Sequence, residues 1–205
     1  MRGWFASATV TIGAMHIIYA AIVAGAVSVA DGHWSIAAAV PAPPLPTLPR
    51  SSCVVDETGS LRPKTIETLQ QICLGLDQSG KGQLVVAVVR GLHGRSDIAA
   101  LALELFREIQ LGHRDRDDGV IVVFRPGPRG SNAIRVTIGY GLEGGMTDER
   151  LRSLLDELVL PKIRRNDADG ALIALSERLV AMVIEEDASG RIQRHAEERR
   201  SERNR

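Results

Sequence analysis

From Asp117 to Asp148 the chain reads DDGVIVVFRPGPRGSNAIRVTIGYGLEGGMTD. Val120–Phe124 is a short unbroken apolar run with high β-propensity. Pro126, Gly127, Pro128, Gly130 and Asn132 then make a dense turn signal. Ile134, Val136 and Ile138 alternate with Arg135 and Thr137, the period of a half-buried strand. Two such runs pair as an antiparallel hairpin. The pairing brings Asp117 and Asp118, before the first strand, close to Tyr140–Glu143, after the second. Several carboxylates then share one rim of a sheet, among glycines that let backbones approach closely. A functional site is expected on that rim.

The flanking elements follow from their periods. Val54, Val55 and Asp56 form a short extended stretch, turned by Thr58, Gly59 and Ser60. Pro63 suits a first helical turn, and Ile66, Leu69, Cys73 and Leu76 mark the buried face of the helix it opens. Leu84–Val89 is continuously apolar, which predicts a central strand covered on both faces. Asp97 is placed to cap the next helix, whose face is Ile98, Leu101, Ala102, Leu105, Phe106 and Ile109. After the hairpin, Thr147 is an N-cap, with Asp148 and Glu149 in the first turn. Leu151, Leu154, Leu155 and Leu158 form the stripe of this helix, and Pro161 stops or kinks it. Asp167 caps a last helix with the face Leu172, Leu175, Leu179, Met182 and Val183. This order predicts one three- or four-stranded mixed sheet with helices on both faces. The unit from Leu84 to Phe124 should be a right-handed parallel crossover.

Outside the domain the composition changes. Arg2 is the one charged side chain before Asp31. Residues 1–40 therefore read as a signal peptide or a transmembrane anchor, with small-x-small sites at Ser28-Val29-Ala30 and Ala37-Ala38-Ala39. Either reading exports the rest of the chain to the cell envelope, outside the cytoplasmic membrane. Residues 41–52 read as a proline-rich linker, extended and semi-rigid. Residues 53–187 hold the α/β domain, and 188–205 read as a charged, solvated, frayed tail. The two cysteines show no metal-ligand spacing. In an exported chain they suit a disulfide between Cys53, at the start of the extended stretch, and Cys73, on the buried helical face; two buried thiols are the alternative.

Several function classes are excluded. Twenty-five basic residues balance twenty-five acidic ones, and aromatics make up 3% of the chain, so neither an electrostatic footprint for nucleic acid nor a base-stacking platform is expected. Nucleic acid is thus not an expected partner. The chain lacks GxSxG, HExxH and P-loop patterns. Gly139–Gly144 has GxGxxG spacing, but the next helix begins only after Met146 and the preceding strand belongs to a hairpin.

Four stretches, VVDETGSL, QLVVAVVRGLHG, DDGVIVVF and RVTIGYGLEGGMTD, occur in an order and spacing that resembles the TPM-domain family of exported bacterial and thylakoid lumen proteins. The resemblance covers roughly Cys53 to Ile184. It implies a three-layer α/β/α sandwich, in agreement with the element order. Plant members of the family are associated with photosystem II repair and an acid phosphatase activity, an animal member with a ligand-gated receptor, and some bacterial members with divalent cations. Asp56 matches the acidic residue of the opening motif. Asp118 and Gly119 match the pair before the central strand, and Gly141, Glu143 and Asp148 the segment after the hairpin. Ile109 stands where the family often has tryptophan.

Asp56, Asp118 and Glu143 are the expected metal ligands. Their donors are all oxygen, which suits Ca²⁺ or Mg²⁺ rather than zinc. The alternative is that each caps a helix or tightens a turn. The expected function is an exported, membrane-tethered binding or accessory module that holds a divalent cation and contacts an envelope membrane protein. A metal-dependent phosphatase is the alternative. For it, His93 and His113 are the candidate acid–base residues, and Arg114, Arg116 and Arg125 the candidate phosphate ligands.

Overall fold

The computed structural model describes residues 27–30, 33–36, 44–47, 52–127 and 133–203. The chain divides into two units, Met1–Ala42 and Pro43–Arg205. In the first, β1 (Val27–Ala30) pairs antiparallel with β2 (His33–Ile36), Val27 opposite Ile36. The rest of the expected leader or anchor, residues 1–26, 31–32 and 37–40, lies outside the described residues. Among the described residues no helix is long and apolar enough to cross a membrane.

In the second unit, β3 (Val54–Asp56), β4 (Gln83–Val88), β5 (Gly119–Phe124) and β6 (Ile134–Ile138) form one sheet in that order. β3, β4 and β5 run parallel. β6 returns antiparallel on β5 with Val122 opposite Val136. The expected hairpin is present, and Arg125 N donates to Ala133 O at 2.7 Å beyond its last strand pair. The helices are α1 (Pro63–Gln78), α2 (Ile98–Glu108), α3 (Asp148–Leu154), α4 (Leu160–Arg164), α5 (Ala168–Ala188) and α6 (Arg191–Arg203).

Strand alternation splits the core into two layers. Leu84, Val86, Val88, Val120, Val122 and Phe124 pack with Leu69, Cys73 and Leu76 of α1 and with Leu172, Leu175 and Val183 of α5. Val85, Ala87, Ile121 and Val123 pack on the other face with Ile98, Leu101, Ala102 and Leu105 of α2. Each fully buried aliphatic side chain contributes about 1.5–3 kcal/mol, so the central strands β4 and β5 carry much of the fold. Both parallel connections step the same way across the sheet, yet α1 and α2 lie on opposite faces. The two crossovers therefore have opposite hands, and one departs from the common right-handed rule.

The helix ends follow their capping residues. Asp97 accepts from Ala100 N at 2.8 Å, Thr147 from Arg150 N at 3.3 Å and Asp167 from Gly170 N at 2.9 Å. Pro161 does not end its helical segment. α3 passes through a π turn (Leu155–Val159) and continues into α4, whose second residue, Pro161, cannot donate to the preceding turn.

One boundary needs correction. The stretch 188–205, expected as a frayed tail, contains the 13-residue helix α6. Ile192 is its fully buried anchor, and arginines along it pair with carboxylates of the domain. The described part of the proline segment, 44–47, packs on the domain. Pro46 is buried and Leu45 packs on the α2 side of the sheet. Proline has no N–H to leave unsatisfied, so such a segment packs down at little polar cost.

Candidate functional site

The rim that the hairpin was expected to build lies where β4 and β5 begin. Asp118 sits at its centre and is fully buried. Its Oδ1 accepts from the His113 backbone N at 2.8 Å, and the His113 ring Nδ1 lies 3.0 Å from both oxygens. Its Oδ2 accepts from Arg116 Nε at 2.6 Å. Arg116 also donates from Nη2 to Asp187 Oδ1 at 2.8 Å and to Lys81 O at 3.1 Å. Burial works against the Arg116 charge, but the Asp187 and Asp118 carboxylates outweigh it and hold the guanidinium more firmly protonated than usual. The carboxylate of Asp118 is thus spent inside the protein, tying the loop 112–118 to the end of α5.

The glycine-rich segment is fixed by the same loop. Asp117 adopts a left-handed conformation, φ 48°, and its carbonyl accepts from Gly141 N at 3.1 Å. A Cβ on Gly139 would collide with the Asp117 carbonyl, and one on Gly141 with the Arg116 carbonyl. Close backbone contact, not a phosphate, explains the Gly-x-Gly spacing. Between these two glycines a short 3₁₀ turn, Tyr140–Leu142, displays Tyr140, which is 49% exposed although its neighbours Gly139, Gly141 and Leu142 are buried. The ring meets His195 edge-on at 5.5 Å, and the Arg199 guanidinium lies 5.7 Å from its centre. Glu143, Asp148 and Glu149 are exposed nearby in sequence.

α6 supplies the remaining charges. Arg199 pairs with Asp117, Arg200 with Asp115 at 2.8 Å, and Arg203 with Asp115 at 3.4 Å. Arg191 pairs with Glu186, which is 2% exposed, through Nη2 at 2.6 Å and through Nε. Gly145 sits against that carboxylate, where a Cβ would not fit. Sequence reasoning did not find these partners. The available signal was a block of arginines in 191–203 complementary to Asp115 and Asp117, but periodicity does not show which charges meet.

The three expected metal ligands are not brought together. Asp118 and Glu143 belong to this rim. Asp56 pairs in register with Val88, whereas Asp118 precedes the Gly119–Gln83 pair, so they stand at opposite ends of the sheet. Five residues of strand separate those ends, on the order of 16 Å. The parallel direction of β3 is what carries Asp56 away. Among the described residues no group of three or more His, Cys, Asp or Glu side chains is placed to hold a metal ion.

Asp56 instead organises the turn into α1. Its Oδ1 accepts from Thr58 N at 2.9 Å, Thr58 Oγ1 at 2.6 Å and Gly59 N at 3.0 Å, and its Oδ2 from Leu61 N at 2.9 Å. Burial pushes this carboxyl up, but the Thr58 hydroxyl and the backbone N–H groups outweigh it and leave it below the usual carboxylate range. At the same end, His93 is held between Glu57 Oε2 at 3.0 Å and Pro44 O at 2.9 Å. Both ring nitrogens are therefore engaged within the protein. Arg114 is exposed on the loop before Arg116. Arg125, at the opposite end of β5, has a buried Nε without a partner among the described residues. The expected phosphate arginines thus do not converge.

The cysteines expected to be bridged are free thiols in this structure, Cys73 buried and Cys53 half-buried. The Cys53 thiol lies 3.9 Å from the Gln70 carbonyl, and both cysteines line one surface pocket.

The profile of the TPM domain matches residues 54–182. The solution structure of the N-terminal domain of a protein from P. gingivalis is 21% identical, with a TM-score of 0.57 over 65% of this chain and 82% of that one. The N-terminal domain of the cg2496 protein from Corynebacterium glutamicum is 16% identical, with a TM-score of 0.50 over 67% of this chain and 84% of that one. At these identities the likeness is one of fold. None of the curated proteins compared with the chain is similar enough to count as a match.

Proposed function

The chain belongs to the TPM-domain family, and on that premise we propose that it is an exported binding module of the cell envelope whose contact surface is the Tyr140–Glu143 turn. The observation that carries this reading is the presentation of Tyr140. A half-exposed aromatic ring stands on a turn whose backbone is locked by Gly139 and Gly141 against the 116–117 carbonyls. Rigid, exposed aromatics lose little conformational entropy on binding and are enriched among the residues that dominate interface energies. Glu143 gives the same turn an exposed carboxylate, suited to a basic group of a partner or to one coordination position of a divalent cation. Export rests on the uncharged stretch between Arg2 and Asp31, which either as a cleaved leader or as a retained anchor carries the domain across the cytoplasmic membrane.

The test is site-specific photo-crosslinking in cells that make the full chain. A photoreactive amino acid at position 140 or 143 should give one discrete adduct, and the same group at Leu103, exposed on the far α2 layer, should not. Absence of an adduct from position 140, or the same adduct from position 103, overturns the contact surface. A reporter fused after Arg205 that is active only in the cytoplasm overturns export.

A further inference from the structure

Cys53 and Cys73 meet at an edge of the sheet far in sequence from the Tyr140 turn. Cys53 immediately precedes β3, the short edge strand, and its carbonyl accepts from Val86 N at 2.9 Å, so its backbone is already fixed to β4. Cys73 lies on the buried face of α1 and is 1% exposed. Both side chains line a surface pocket of about 220 Å³ together with Ser52, Asp77 and Gln83. Cys53 is the half-exposed member, so a reagent in the pocket meets it first.

We propose that Cys53 and Cys73 are a reversible dithiol, which a small disulfide oxidant closes into a clasp between β3 and α1. Both thiols line the same pocket, with Cys53 the more exposed and Cys73 buried behind it. The neighbouring Cys73 thiol lowers the acid dissociation of Cys53, while the Cys53 thiol and burial hold the proton on Cys73. Cys53 is thereby the attacking thiolate and Cys73 the resolving thiol. The Cys53 thiolate attacks one sulfur of the oxidant, RS–SR. A Cys53–SR mixed disulfide forms, and one RS⁻ leaves carrying the electron pair of the broken bond. With the Cys53 charge gone, the Cys73 thiol gives up its proton to the departing thiolate. Cys73 then attacks the Cys53 sulfur and expels the second RS⁻, which takes up a proton from water. The protein dithiol loses two electrons and two protons, and one disulfide oxidant becomes two thiols.

Closing the clasp fixes a short edge strand, the part of a sheet most easily opened. It joins the start of β3 to the middle of α1 around a loop of about 20 residues, an entropic restraint that raises a melting temperature by on the order of 10 °C in a domain of this size.

The experiment uses the reduced full chain and oxidised glutathione as the probe, followed by thiol counting and mass spectrometry of the denatured, unreduced protein. Both thiols should disappear together, with loss of two hydrogens and no retained glutathione, and the melting temperature should rise by on the order of 10 °C. Cys73→Ser should trap a glutathione adduct on Cys53, and Cys53→Ser should take up none at Cys73. Two thiols that survive in oxidised glutathione, a disulfide-linked dimer, or equal adducts on both single variants would each overturn the proposal. The wild-type thiol count stands even if a serine variant fails to fold.

Discussion

Arg116 and Asp118 are joined from Nε to Oδ2 at 2.6 Å, with Asp118 fully buried and Arg116 bonded onward to Asp187 at 2.8 Å. This pair links the loop before β5 to the last turn of α5. It turns a residue that resembles a metal ligand in sequence into a structural joint.

Removing both partners should therefore cost less than the two single removals added together. Asp118→Ala leaves a partly buried guanidinium facing an empty site and should destabilise the domain by about 3 kcal/mol. The double variant with Arg116→Met should cost less than the sum of the two single changes, with a coupling of about 1–3 kcal/mol. Urea melts of the four proteins measure the cycle. Strict additivity would show that the two side chains do not act as a pair.

Acid should act through Asp56. Its folded-state dissociation lies below the ordinary value, so the stability it contributes is complete above about pH 4, the unfolded value. That contribution is lost as pH falls from there through the lowered folded value. Asp56→Asn should be destabilised at pH 7 by about 1–2 kcal/mol, because the charged acceptor of four hydrogen bonds is gone. The gap between variant and wild type should close as pH drops toward 3, about a unit below the unfolded value. A gap that stays constant over that range would contradict the assignment.

Glycines should divide by what surrounds them. Gly141→Ala forces a methyl into the Arg116 carbonyl and should destabilise by about 2 kcal/mol or more, shifting the Tyr140 ring resonances. Gly75→Ala, in α1 with nothing near its added methyl, should stabilise by up to about 1 kcal/mol. Thermal melts and the tyrosine signals of both variants check the contrast. A harmless Gly141→Ala would remove the close-contact account of the glycine-rich turn.

Helix α6 should depend on its docking. A 13-residue charged helix is marginal alone. Ile192→Asp should therefore strip hydrogen-exchange protection from 191–203 while leaving β4 and β5 protected. Molar salt should reduce the protection more mildly, by screening the exposed Arg200 and Arg203 pairs to Asp115. Protection that is unchanged in Ile192→Asp would mean the helix stands without the domain.

The rim itself was half legible. The hairpin register follows from alternation in Ile134–Ile138, and that register does put Asp117 beside Gly141. Alternation says nothing about Asp56, because a short extended stretch has the same pattern whether it joins the sheet parallel or antiparallel. Parallel pairing with β4 sent it to the far end. Nor did Pro161 reveal that a π turn, Leu155–Val159, would precede it.

What this sequence determined by itself is what short-range physics controls. Apolar period selected helices and strands, Asp97, Thr147 and Asp167 started their helices, and unbroken apolar runs named β4 and β5 as the buried centre. Only tertiary structure decided which charges meet. Asp118 with Arg116, Asp117 with Arg199 and Glu186 with Arg191 are selected by where whole elements pack, and burial of Ile192 is what turns a charged tail into a helix across the rim. Charge pairing is decided over a few ångströms in space, and spacing along the chain carries no record of that distance until the sheet and its helices have set it.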